Sequence, residues 1–187
     1  MRKLNTFSII LNSIYSLAAI YFLFIQQNLM NFGLSLFCLL CSFLISFLRH
    51  KLIIKFDNLS LCCNLFILFS TLLGTCFSFY SIFNGYDDFL HIWSGALGVA
   101  VAYNILLITN KDDIILSKIF IVIYLFMFSM GIASLWEISE FFIDTFLGMH
   151  TQAGGLKDTI TDMVDCLIGS ALMIIYYIKS ILPSRLL

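Results

Sequence analysis

Residues 119–147 read IFIVIYLFMFSMGIASLWEISEFFIDTFL. No charged residue occurs between Ile119 and Trp136; then Glu137, Glu140 and Asp144 follow in quick succession. A spanning helix needs about 20 mostly apolar residues. This stretch is long enough to cross a bilayer and ends in acids, and the whole chain repeats its apolar character. The 187 residues are 61% hydrophobic and 11% charged, with 20 Phe and one Pro, and the mean hydropathy is +1.02. A soluble domain of this size is about a quarter charged. So little polar surface could not cover so much apolar surface in water, so lipid is the solvent that fits.

Working outward, six segments are long and apolar enough to span: 7–25, 29–48, 61–83, 89–109, 119–147 and 160–182. The fold class expected is all-α, a polytopic membrane protein built as one transmembrane domain over 1–187. The first run, Phe7 to Ile25, follows Met1-Arg2-Lys3 and leads into Gln26-Gln27-Asn28 without a small-x-small cleavage site. It is read as a retained helix, longer than a signal-peptide core. The six cysteines, among them Cys38 and Cys41, all sit inside apolar segments. They are read as small packing residues, with no disulfide framework or thiolate metal site implied.

Basic residues set the orientation. With the N-terminus in the cytoplasm, Arg2, Lys3, Arg49, Lys51, Lys55, Lys111, Lys118, Lys179 and Arg185 face inward and only Lys157 faces out. Nine against one satisfies the positive-inside rule, and an even number of spans places both termini inside. The net charge of −1 says little about partners; the partner expected is the bilayer, with no nucleic acid.

On this map Asp57, Asp112 and Asp113 lie in inner loops beside lysines. The other eight acids all fall in the outer halves of the last three spans or their flanking loops: Asp87, Asp88, Glu137, Glu140, Asp144, Asp158, Asp162 and Asp165. In the fifth span Glu137, Glu140 and Asp144 recur at i, i+3 and i+7, within about 60° of one face. In the sixth, Asp158, Asp162 and Asp165 do the same at i, i+4 and i+7. Asp87 and Asp88 precede His91 by four and three residues, so either carboxylate could reach the imidazole. At about 1.5 Å per residue, Glu140 and Asp165 lie roughly 10 Å below the outer surface. Small residues (Gly95, Gly98, Gly131, Gly169, Ser170) let these helices approach closely.

An Asp at the centre of a membrane helix costs on the order of 2.5–3.5 kcal/mol. The outer half offers only Lys157, His91 and His150 as cations. Three ways of meeting the cost stay open: shared protons, a bound divalent metal, or a cationic substrate. Asp87, Asp88 and Asp158 also suit helix starts, and His150 and Gln152, in the loop His150-Thr-Gln-Ala-Gly-Gly155, suit either a solvated loop or a ligand role. Trp136 adjoins Glu137 and is expected to pack beside the site.

The runs Tyr86-Asp-Asp-Phe-Leu-His91, Leu135-Trp-Glu-Ile-Ser-Glu140 and Asp158-Thr-Ile-Thr-Asp162-Met-Val-Asp165, with Gly169 after them, resemble the YjdF-like family of bacterial inner-membrane proteins. The resemblance covers residues 80–172 by motif and implies a multi-pass protein of the bacterial cell membrane, with no activity to carry over. A more distant likeness is to VanZ-like membrane proteins; Gln152 could correspond to a Gln of that pattern, but no Arg follows it.

Three functions follow as expectations. One is a metal-dependent membrane hydrolase acting on a lipid or lipid-linked substrate. In it His91, Glu140, Asp162 and Asp165 bind the metal, Asp88 orients His91, and Glu137 and Glu140 serve acid–base chemistry. Trp136, Asp144, His150, Gln152 and Asp158 are then candidates for substrate contact. The second is a small uptake component binding a cationic substrate or relaying protons. The third is a non-catalytic envelope-stress or resistance protein acting through partners. The orientation has its own test. In a chain whose native cysteines are replaced, Thr151→Cys should react with an impermeant thiol reagent added outside intact cells; protection there would reverse the topology.

Overall fold

The structure, a computed structural model, describes residues 2–110, 116–148, 151–152 and 155–180, without the side chains of 2–5 and 147. Secondary structure is helical throughout, with no strand among the described residues. The helices are α1 (Arg2–Ile20), α2 (Leu29–His50), α3 (Asp57–Ile67), α4 (Phe79–Ile82), α5 (Tyr86–Thr109), α6 (Lys118–Leu147) and α7 (Leu156–Ser180). Two of them continue in wider π-helical turns, α1 through Tyr21–Ile25 and α3 through Leu68–Cys76. Six helices are long and apolar enough to cross a membrane: Thr6–Ile25, Leu29–His50, Asp57–Cys76, Tyr86–Thr109, Lys118–Phe146 and Leu156–Ser180. They correspond one for one to the six segments expected from the sequence. The chain divides into two units, Met1–Tyr86 and Asp87–Leu187.

In the first unit, α2 buries Ser35, Cys38 and Ser42, small side chains that let a neighbouring backbone come close. Leu11, Tyr15, Ala18, Phe22, Cys38, Leu72 and Cys76 form its apolar core. The Asn28 side chain caps α2 by accepting from the Asn31 backbone N–H at 3.0 Å. Arg49 at the end of α2 pairs with Asp57 at the start of α3, so this inner-loop acid is tied to a guanidinium. The third span differs from the expected 61–83. It begins at Asp57 and stops at Cys76, where the Phe77 amide donates back five residues to the Leu72 carbonyl at 3.0 Å. Ser78 then takes φ 62°, a left-handed conformation that no helix continues through, and α4 starts anew.

In the second unit, the sequence supplies the helix ends. Gly85 (φ 74°) precedes α5, and Gly155 (φ 61°) precedes α7. Ser117 caps α6 by accepting from the Phe120 N–H at 3.2 Å. Gly148 (φ 64°) closes α6, its N–H donating to the Asp144 carbonyl at 3.2 Å, as glycine does at a left-handed C-terminus. Helix α7 starts at Leu156, earlier than the expected 160, because its first turn is polar and an apolar window does not register it. Asp158 therefore lies inside the first turn.

Val99, Ala102, Tyr103, Ile121, Leu125, Ile174 and Tyr177 fill one end of α5–α7 with apolar side chains. Toward the other end the packing becomes backbone on backbone. A Cβ on Gly169 would collide with the Ile92 carbonyl, and one on Gly95 with the Cys166 carbonyl. A Cβ on Gly98 would stand 2.6 Å from the Ser129 hydroxyl. The Ser129 hydroxyl donates to the Gly95 carbonyl at 2.8 Å and lies 2.8 Å from that of Ser170. Ser170 is also in reach of the Cys166 carbonyl at 2.7 Å. Interhelical hydrogen bonds in membranes average roughly 0.6 kcal/mol. The serines thus fix the register of three helices whose closeness the glycines permit.

Gly169→Ala should cost about 1–3 kcal/mol, because a methyl group there must push two backbones apart. Gly131 has open space around its Cα, so Gly131→Ala should be neutral or stabilising by up to about 1 kcal/mol. Thermal unfolding of the two variants in detergent compares them directly; equal destabilisation would contradict the packing described.

Candidate functional site

The glycine contacts determine which acids meet. His91 lies one turn from Gly95 toward the start of α5; Asp162 lies one turn from Cys166, and Asp165 one turn from Gly169, toward the start of α7. Bringing Gly95 against Cys166 and Gly169 against Ile92 therefore brings His91 against Asp162. The His91 Nε2 stands 3.3 Å from Asp87 Oδ1 and 3.8 Å from Asp162 Oδ1. On the far side of the ring, Nδ1 faces the Cys166 thiol at 3.7 Å, and that thiol is 3.2 Å from the Ser94 hydroxyl. His91 is buried, as are Asp162 and Asp165, while Asp88 is exposed.

Two sets of potential ligand atoms result, each with its members within 4.8 Å of one another: Asp87, His91 and Asp162, and Asp88, Asp162 and Asp165. Asp162 belongs to both. The second oxygen of Asp165 is buried and has no hydrogen-bond partner among the described residues, and the same holds for one oxygen of Glu137. A buried, unpartnered carboxylate oxygen costs free energy unless something outside the described atoms satisfies it.

Of the expected ligands, His91 and Asp162 share one set, and Asp162 and Asp165 share the other. The carboxylate that meets the imidazole belongs to Asp87, however, and Asp88 stands instead with Asp162 and Asp165. Either spacing allowed contact, and the packing against α7 separated their roles. Glu140 is in neither ligand set. It accepts a hydrogen bond from the Trp136 indole at 3.0 Å, an i, i+4 pairing along the rim of α6. Trp136 itself is 57% exposed.

Asp144 serves the loop that follows α6. Its Oδ1 accepts from the Thr151 amide and hydroxyl, both at 2.7 Å, and its Oδ2 from the Gln152 amide at 2.9 Å. The Gln152 side chain donates to the Thr159 hydroxyl at 2.8 Å. Glu137 is buried. Asp158 is half-buried on the first turn of α7. His150 lies outside the described residues.

Sequence reasoning passed over Cys166 and Thr159. Cys166 is one turn after Asp162 on the face that meets α5, a position visible in the helical spacing once that face is known. Thr159 carries no such signal, because its role depends on the loop fold that brings Gln152 to it.

This arrangement of apolar spanning helices and one acidic, histidine-bearing end defines an integral membrane protein with a polar centre inside its helices. The chain belongs to the family described as "Predicted membrane protein (DUF2238)", which matches it over residues 7–181. No curated protein and no solved structure matches it.

The Asp144 contacts carry a test. Charge-assisted hydrogen bonds contribute roughly 1.5–3 kcal/mol when buried and less at a half-exposed site. Asp144→Ala should cost about 1–3 kcal/mol and speed hydrogen exchange at the Thr151 and Gln152 amides. Unchanged protection at both amides would remove Asp144 from its role as the loop's anchor.

Proposed function

We propose that the acidic end of α5–α7 is a divalent-metal centre of a bacterial cell-membrane protein, opening to the outer face and acting on a lipid or lipid-linked substrate by hydrolysis. One observation carries this reading: a buried histidine nitrogen and a buried carboxylate, His91 Nε2 and Asp162 Oδ1, lie 3.8 Å apart with further carboxylates around them. Imidazole and carboxylate together suit Mn, Fe or Zn, and carboxylate alone suits Mg or Mn.

Charge supports the same choice. Asp87 and Asp162 stand beside the imidazole, and Asp88 and Asp165 beside Asp162. Burying such a group without a countercharge costs several kcal/mol. Lys157 is exposed, at the start of α7. A divalent cation supplies the missing charge at the place where the oxygens converge.

Each residue has a part in this reading. His91, Asp87 and Asp162 hold the ion, and Cys166 fixes the ring from its other nitrogen, as an outer partner of a metal-bound histidine does. When bound there, a divalent ion would supply a water of lowered pKa and a Lewis acid for an ester or phosphoryl oxygen. Glu137, buried on α6, would take up the proton as water attacks. Trp136, Phe141 and Phe142 are exposed on the same helix end, where a lipid chain can lie against them.

The test uses the purified full-length protein. Added Mn²⁺ should raise the thermal midpoint, by an amount equivalent to about 2.7 kcal/mol at a hundredfold excess over Kd. Asp162→Asn should keep the fold and lose the response. No bound metal and no shift with Mn²⁺, Zn²⁺ or Mg²⁺ would overturn the proposal.

A further inference from the structure

Asp162 belongs to two ligand sets at once, and this says more than that a metal binds. The first set contains one imidazole nitrogen and one other carboxylate, from Asp87. The second contains two other carboxylates, from Asp88 and Asp165. Apart from Asp162 the two sets have no member in common. A carboxylate has two oxygens and can offer one to each of two neighbouring ions, the geometry by which paired metal sites about 3.5–4 Å apart are bridged.

From this we infer that the centre takes two divalent ions, bridged by Asp162. One is held by His91 and Asp87, and the other by Asp88 and Asp165. The inference rests on the metal-centre reading above and deepens it. Two observations beyond the acidic cluster point to ions. Asp165 is only 9% exposed, and its Oδ2 is buried with no partner among the described residues. The His91 side chain is 11% exposed, and its Nε2 faces Asp87 and Asp162. Charge arithmetic favours two ions over one: four carboxylates carry −4, which two divalent ions balance and one leaves at −2. The donor types also separate the two positions. The His91 side, with nitrogen, suits Mn, Fe or Zn, and the all-oxygen side suits Mg or Mn. Mn²⁺ suits both and is the probe of choice.

The experiment measures Mn²⁺ bound to the full-length protein in detergent, by elemental analysis after equilibrium dialysis, together with its electron paramagnetic resonance spectrum. Two ions per chain are expected, with the exchange-coupled signal of a bridged pair. Asp165→Asn and Asp87→Asn should each lower the count to one and restore an uncoupled six-line spectrum. Wild-type protein needs no variant to decide the main point. One ion per chain, or two without coupling, overturns the bridged pair and leaves a single-metal centre standing; no bound ion overturns both.

Discussion

The close approach of α5 and α7 governs everything described in the second unit. Gly169 lies against the Ile92 carbonyl and Gly95 against the Cys166 carbonyl, so the two backbones touch where any side chain would hold them apart. In lipid, apolar burial gives helices little reason to associate, and packing and polar contacts decide. Once the glycines set the distance, the Ser170 hydroxyl, donating to the Gly95 carbonyl at 3.3 Å, sets the register. Residues one turn away on each helix are then obliged to meet. His91 and Asp162 are those residues, and their meeting is a consequence of the packing one turn deeper.

The same constraint explains why acids can sit inside these helices. The apolar end, with Val99, Leu125 and Ile174, needs only contact. The acidic end must satisfy oxygens that lipid cannot. Some are satisfied locally: Asp144 by the loop amides, and Glu140 by the Trp136 indole. One oxygen each of Asp165 and Glu137 has no partner among the described residues. The division is between acids whose oxygens the fold satisfies and acids with a buried oxygen it leaves over.

Much of this was legible in the sequence. The six spans follow from apolar length, and the acidic faces of α6 and α7 from spacings of three, four and seven. Helix ends were less legible where polar first turns lie outside the apolar run, as at Asp57 and Leu156. The break at Ser78 was hidden because a π-helical stretch and a left-handed serine leave no mark in hydropathy. At the site, spacing placed Asp87 and Asp88 equally near His91; only the position of α7 gives each its own partner. Glu140 shares the face of Glu137, but a tryptophan four residues earlier claims its oxygen. One-dimensional spacing names the residues of a face, while their partners across helices depend on where glycines admit the backbone of a helix far along the chain.

The metal centre proposed above requires one ion held by both His91 and Asp162. Anomalous X-ray diffraction at the manganese edge, from crystals of the full-length protein grown with Mn²⁺, tests it most directly. The account requires an anomalous peak within coordination distance of both His91 Nε2 and an Asp162 oxygen. Well-ordered side chains at both positions with no peak between them, or a peak found only elsewhere, would contradict it.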